Sequence, residues 1–101
     1  MAISRQGPEA AEVAEVLAIQ ALAFIAEDDE RLGRFLAITG LGPGEIRRAA
    51  RERRFLAGVL EYVNGDEDLL LAFANYAEVD PAHVVAAEQV LAETGENEAD
   101  G

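Results

Sequence analysis

The chain has 101 residues and a mass of 10.8 kDa, which is enough for one domain and too short for two cores of ordinary size. Half of its residues are hydrophobic. The absence of cysteine excludes disulfides and thiolate sites, and the single histidine argues against His-rich zinc sites and serine–histidine triads. The net charge is −12 and every cation is an arginine, so we expect repulsion from nucleic acid and anionic membranes.

Apolar residues recur at intervals of three and four, and no segment alternates as a strand would, which predicts an all-α fold: a compact bundle of about six short helices. The first helix begins at Pro8, where proline's missing N–H costs nothing, and runs to about Ala26. Its apolar residues occupy more than one face, so we expect it to be central: Val13, Val16, Leu17, Leu22, Phe24 and Ile25.

The five later helices each carry start or stop signals. Asp28 or Asp29 caps the second helix, and Gly40 ends it in a left-handed turn. Pro43 begins the third, and the fourth runs from about Arg53 to Asn64. No proline separates these two, so they form either one longer helix or, as we favour, two helices with a break near Glu52. Asp66 caps the fifth helix, Asp80 and Pro81 open the sixth, and the sixth ends near Glu93, before Gly95.

These signals predict one helical domain over residues 8–94, between a disordered N-terminus at 1–7 and an acidic disordered tail at 95–101. The longest apolar run, 16–26, falls short of the roughly 20 residues that cross a bilayer. Acidic residues stand where a signal peptide has basic ones, so we expect a cytoplasmic protein.

An offset of 38 residues brings similar landmarks of the chain together, which predicts an internal repeat of 17–50 on 55–88. The matched positions are core apolar residues, capping aspartates and helix-starting prolines: Leu22 with Leu60, Ile25 with Val63, Asp28 with Asp66, Phe35 with Phe73, and Pro43 with Pro81. Two such copies would form two pseudo-symmetric three-helix units, although an Ala- and Leu-rich helical chain also matches itself by accident.

Three segments resemble a known family: AIQALAFIAEDDERLGRFLAITGL (18–41), FLAGVLEYVNGDEDLLLAFA (55–74) and VDPAHVVAA (79–87). They are similar to the uncharacterised bacterial, typically alphaproteobacterial, domain-of-unknown-function family 3572. The resemblance implies an all-helical fold and a bacterial cytoplasmic setting, but no activity and no functional residue. Segment 51–54 departs from the family, in which a small or turn-forming residue precedes the FLAGVL-like stretch.

Five of the eight cations lie within eight residues and form the candidate site: Arg47, Arg48, Arg51, Arg53 and Arg54. Guanidinium groups bind carboxylates and phosphates through two parallel hydrogen bonds, so the cluster is a candidate docking patch for an anionic partner. The alternative is that these arginines pair with acids of the chain itself, at 28–30 or 66–68, within one molecule or across a dimer; solubility alone is a further explanation.

A second hypothesis is that residues 35–54 form a helix-turn-helix that binds nucleic acid through an arginine-rich helix at 44–54. Core and turn residues have the spacing of that motif: Leu36, Gly40, Leu41, Ile46 and Ala49. The charge argues against it, because residues 47–54, with Glu52 counted among the arginines, carry +4 and the rest of the molecule carries −16. The inverse hypothesis is that this acidic protein mimics DNA and occupies the DNA-binding surface of a partner.

No residue pattern points to catalysis, a metal or a cofactor. His83 has no visible nucleophile beside it, since Ser4 is near the terminus and Thr39 is on a core stripe. The acidic triplets precede helices and lack the alternating spacing of a calcium loop, and Gln20 and Asn75 are expected to be structural. We therefore expect a non-enzymatic module that binds an unidentified protein or associates with itself.

Overall fold

Six α-helices make up most of the described part of the chain in a computed structural model that describes the backbone of residues 8–100 and the side chains of 9–93. They are α1 (Pro8–Ala26), α2 (Asp29–Thr39), α3 (Ile46–Ala49), α4 (Arg53–Asn64), α5 (Glu67–Ala77) and α6 (Pro81–Asp100), with a 3-10 turn at Pro43–Glu45 before α3. The predicted all-α bundle is confirmed. The disorder predicted for residues 1–7 lies outside the described residues.

Most of the predicted helix ends are found, because each is set by residues within four positions of it. The side chain of Asp28 accepts a hydrogen bond from Glu30 N, and that of Asp66 accepts one from Leu69 N. The Asp80 carboxylate accepts a hydrogen bond from Ala82 N at 2.9 Å, in front of Pro81. Gly40 ends α2 with a φ of 77°, as predicted for a left-handed stop.

The chain leaves the helical conformation between α3 and α4. Glu52 has a φ of −103° and a ψ of 127°, which is extended backbone, so the predicted break is confirmed. The third helix is therefore the 3-10 turn followed by four α-helical residues.

α6 is longer than the sequence predicted. Its backbone continues past Glu93 and through Gly95 to Asp100, so residues 95–100, for which we predicted a tail, are helical in backbone. A single glycine costs an exposed helix only about 1 kcal/mol relative to alanine, and no proline follows it to force an end.

One core joins the helices. α4 packs against α1, α5 and α6, and α1 also contacts α2, α5 and α6. The largest fully buried side chains come from all the helices but α3: Phe35, Phe73, Ile25, Leu60, Leu91, Val59, Val63 and Val84. These contacts fix the start of α4, and with it the position of the arginines.

Burial of α1 is less complete than the sequence predicted, and α5 also leaves large apolar side chains exposed. α1 buries one face that is rich in alanine, while Val13, Val16 and Ile19 are exposed. On α5, Phe73 is buried, but Leu71 and Tyr76 are exposed. Six short helices leave these faces uncovered because no other element in the described residues packs over them.

Candidate functional site

The five arginines of the candidate site lie on both sides of the break between α3 and α4. Arg47 and Arg48 belong to α3, Arg51 lies in the turn that follows, and Arg53 and Arg54 are the first residues of α4. All of them are exposed except Arg53, which is partly buried. We call Arg47, Arg48, Arg51 and Arg54 the arginine patch.

Arg53 has a separate, structural role. Its Nε donates to Glu15 Oε2 of α1, and this ion pair is part-buried. Because Glu15 lies in the middle of α1, the pair holds the first turn of α4 against that helix. Arg53 is therefore removed from the set of arginines that are open to a partner.

The arginine patch makes no ion pair or hydrogen bond with any other side chain that the structure describes. One acid of each triplet is engaged elsewhere, since Asp28 contacts Arg31 at 3.5 Å and Asp66 caps α5, and no acid of either triplet pairs with the arginine patch. Pairing with acids of the same chain thus accounts for Arg53 only, through Glu15, which the sequence did not single out.

Helix stability does not explain the arginines at the start of α4. Arg53 and Arg54 occupy its first turn, which contains no acidic residue, and the side chain of Glu52 makes no capping hydrogen bond. The positive end of a helix dipole disfavours cations there by about 0.3–1 kcal/mol each. The cost is offset for Arg53 by Glu15, whereas nothing in the described residues offsets it for Arg54.

The arginine-rich helix that the helix-turn-helix hypothesis requires over 44–54 does not form. α3 has four residues, little more than one turn, and the backbone is extended at Glu52. Arg47, Arg51 and Arg54 therefore do not share a stripe of one helix, because that stripe exists only in a continuous helix. The five cations are instead divided between α3, the turn after it and the first turn of α4.

The other polar residues singled out by the sequence do not come together. His83, Thr39, Gln20 and Asn75 are all exposed, so Thr39 does not lie in the core as expected. The Thr39 hydroxyl bonds to the carbonyl of Leu36 in its own helix. Within the side chains described, no group of three or more His, Asp or Glu residues is placed to hold a metal ion.

Sequence reasoning missed one exposed pair between helices. Tyr76 of α5 donates its hydroxyl to Glu27 Oε2 at 3.0 Å, and its ring lies 4.9 Å from that of Phe24. The hydrogen bond to Glu27 raises the pKa of Tyr76, with smaller contributions from lost hydration and from the negative charge of Glu27. The pair joins α5 to the end of α1 and offers no reactive group.

Comparison with known proteins places the chain in a family. Residues 11–94 match the family described as Protein of unknown function (DUF3572). The chain belongs to this family. The match covers all the helices, α1 and α6 in part, and includes the arginine patch. No curated protein and no solved structure matches the chain.

No helix in the described part of the chain is both long enough and apolar enough to cross a bilayer.

Proposed function

We propose that this member of the DUF3572 family is a non-enzymatic interaction module that docks an acidic surface of another protein on its arginine patch. One observation carries the proposal: in a chain of net charge −12, Arg47, Arg48, Arg51 and Arg54 are exposed and have no carboxylate partner among the described side chains. The setting in the proposal is the bacterial cytoplasm, as the family resemblance implies.

The chemistry of the patch suits carboxylates. A guanidinium group offers parallel N–H donors that match a carboxylate, and such charge-assisted bonds are about twice as strong as neutral ones. The guanidinium groups of the patch are exposed within eight residues of the chain, and the one acid among them is Glu52. That arrangement supports binding rather than catalysis.

An acidic protein fits better than a nucleic acid. A duplex spreads its charge over many phosphates, so it would meet the −16 carried by the rest of this small molecule as well as the patch. A short acidic segment of a protein can contact the arginine patch alone. The short α3 also supplies no helix long enough to lie along a major groove.

The test compares two variants that have the same net charge. The first changes Arg47, Arg48, Arg51 and Arg54 to Gln, which takes the net charge from −12 to −16. The control changes four exposed residues outside the patch to acids, Q20E, A72E, N75D and Q89E, and also reaches −16. Each variant is used to capture proteins from the native cell extract, and its helicity is checked by circular dichroism.

We expect a partner that the wild type and the control capture and that the patch variant loses. The isolated partner should then bind the wild type directly, with an affinity that falls as salt rises. Equal capture by the patch variant would contradict the proposal. Binding of a 20-base-pair duplex by the wild type, with a steep salt dependence, would favour nucleic acid instead, and a concentration-dependent dimer that the patch variant abolishes would favour self-association.

A further inference from the structure

α1 presents an apolar strip to solvent, made of Val13, Val16 and Ile19. These side chains are 66%, 57% and 49% exposed, although valine and isoleucine are among the residues most often buried in proteins. Their spacing of three residues places them next to one another on the helix surface, and the exposed Ala23 continues the same face. We call Val13, Val16 and Ile19 the α1 strip.

The exposed charged residues before and after the α1 strip along the chain are acidic. Glu9 and Glu12 are exposed on the same face before it, Glu27 is exposed after it, and α1 contains no basic residue. Two cations also contact α1, and each is paired with an acid: Arg53 with Glu15, and Arg31 with Asp28. Glu9 and Glu27 are separated by about 27 Å along a helix axis, at a rise of about 1.5 Å per residue. The face is therefore apolar in the middle and acidic at both ends.

We propose that the α1 strip is a second docking surface, and that its occupant is an amphipathic helix of another protein with apolar residues at its centre and Lys or Arg toward both ends. Charge complementarity argues for this occupant: cationic ends would meet Glu9 and Glu12 at one end and Glu27 at the other. A helix of about 18 residues spans that distance and buries its apolar face on the strip.

A second copy of the chain fits the strip less well. Stable dimers bury about 800 Å² on each partner, contributed by some 20–30 residues, whereas the strip covers two turns of one helix. A copy that offered the same face would also bring only acids to an acidic rim. Anionic lipid and nucleic acid are repelled by the same rim.

This surface is distinct from the arginine patch, because the two surfaces carry opposite charges and belong to different helices. Failure of one proposal therefore leaves the other standing.

The probe is a synthetic 18-residue amphipathic peptide with a central stripe of Leu and with Lys toward both ends, and its binding is followed by fluorescence anisotropy. The strip variant V13Q/V16Q/I19Q keeps the charge and replaces β-branched residues by a better helix former. The matched control, I38Q/L71Q, removes exposed apolar residues from α2 and α5. A third variant, E9Q/E12Q, neutralises the acidic end, and E61Q/E78Q is its charge-matched control.

We expect the strip variant to raise the Kd of the peptide by on the order of tenfold or more, because three apolar contacts are lost, while I38Q/L71Q leaves it within about twofold. E9Q/E12Q should weaken binding and flatten its salt dependence more than E61Q/E78Q does. In 0.5 M NaCl the Debye length is about 4 Å, so binding that is purely electrostatic is lost. Part of the affinity of the peptide should persist under this condition, because the apolar contacts remain.

Three results would overturn the proposal. One is equal binding by the strip variant and the wild type, and another is complete loss of binding in 0.5 M NaCl, since both would mean attraction to net charge alone. The third is a wild-type dimer in sedimentation equilibrium that V13Q/V16Q/I19Q dissociates, which would assign the strip to a second copy of the chain. Circular dichroism of each variant confirms that the helices are intact.

Discussion

Asn64, the last residue of α4, ties that helix to α6. Its Nδ2 donates to the carbonyl of Val84 at 3.3 Å and to Glu88 Oε1 at 2.8 Å. Its Oδ1 is buried and accepts no hydrogen bond from the described residues. A buried acceptor without a donor is costly, so the two donated bonds must offset that cost for asparagine to be stable here.

We predict that Asn64→Asp lowers the free energy of unfolding by about 1–3 kcal/mol. The aspartate cannot donate to Val84 or Glu88, and at neutral pH it adds a second carboxylate beside that of Glu88. Urea unfolding followed by circular dichroism measures the change. The matched control is Asn75→Asp on the exposed surface of α5, which should stay within about 0.5 kcal/mol of the wild type. Equal losses in the two variants would show that the contacts of Asn64 contribute nothing.

Single residues also show where sequence reasoning stops. The cluster of five arginines is visible in the sequence because its members are close along the chain. That Arg53 is paired and its neighbours are not depends on how α1 and α4 lie against each other, and Glu15 carries no local signal of this contact. A candidate site was thus predictable, but which of its arginines is paired within the chain was not.

Helix ends were predicted well where the signal is a cap or a proline, because such signals act within one turn. The predicted end of α6 before Gly95 was wrong, because one glycine only weakens a helix and no proline follows it to force an end. The faces of α1 were misjudged for another reason: an apolar composition shows that a side chain favours burial, but not that another element is available to cover it. The end of α5 also carried no signal in the sequence, because Glu78 ends it in the left-handed region, with a φ of 58°, where glycine is usual.

Glycines within the helices give the prediction at this scale. Gly33 in α2 and Gly58 in α4 are exposed, and a Cβ at either position would meet open space. Gly33→Ala and Gly58→Ala should each raise the free energy of unfolding by about 0.5–1 kcal/mol, since alanine loses less conformational entropy in a helix. Gly40→Ala also meets no neighbour, but its φ of +77° is strained for alanine.

The expected effect of Gly40→Ala is therefore opposite in sign, a loss of about 1–2 kcal/mol. Urea unfolding of the three single variants, under the same conditions, gives the comparison. A stabilising Gly40→Ala would mean that the turn after α2 relaxes into another conformation, and a destabilising Gly58→Ala would mean that α4 is more crowded than the structure shows.

At the scale of the whole molecule, features recur at an interval of 38 residues. α1 and α4 end at Ala26 and Asn64, α2 and α5 begin at Asp29 and Glu67, and the two left-handed residues of the described backbone are Gly40 and Glu78. The partners Glu15 and Arg53 are themselves 38 positions apart. Two aromatic contacts show the same interval: the ring of Phe24 lies 5.7 Å from that of Phe73, and the ring of Tyr62 lies 5.2 Å from that of Phe35. Tyr62 is 38 positions after Phe24, whereas Phe35 is 38 positions before Phe73, so the two segments exchange places between the two contacts.

Such an exchange is what an approximate two-fold axis between two units would produce, and it extends the landmarks that the sequence shows. Descent of both units from one ancestral segment stays a prediction. The helices that correspond least at this interval are α3, which stops after four residues, and α6, which runs on to Asp100. The four positions 38 residues after the arginine patch lie in α6 and contain no arginine.

The net charge of −12 gives a prediction for the molecule as a whole. The described side chains contain two ion pairs, Arg31–Asp28 and Arg53–Glu15, so repulsion among acids outweighs attraction between opposite charges. At 0.01 M ionic strength the Debye length is about 30 Å, comparable with the size of the molecule, and at 1 M it is about 3 Å. Raising the salt concentration therefore screens more repulsion than attraction and should stabilise the fold.

We expect the Tm to rise between 10 mM and 500 mM NaCl by several degrees, because a gain on the order of 1 kcal/mol shifts the Tm of a domain of this size by about 4–8 °C. Differential scanning calorimetry measures it, and equal ionic strengths of KCl serve as a control for ion-specific effects. The variant with Arg47, Arg48, Arg51 and Arg54 changed to Gln carries −16 and should show a steeper rise. A Tm that falls with salt would mean that attractive pairs dominate, and the arginine patch would then be bound to acids of its own chain in solution.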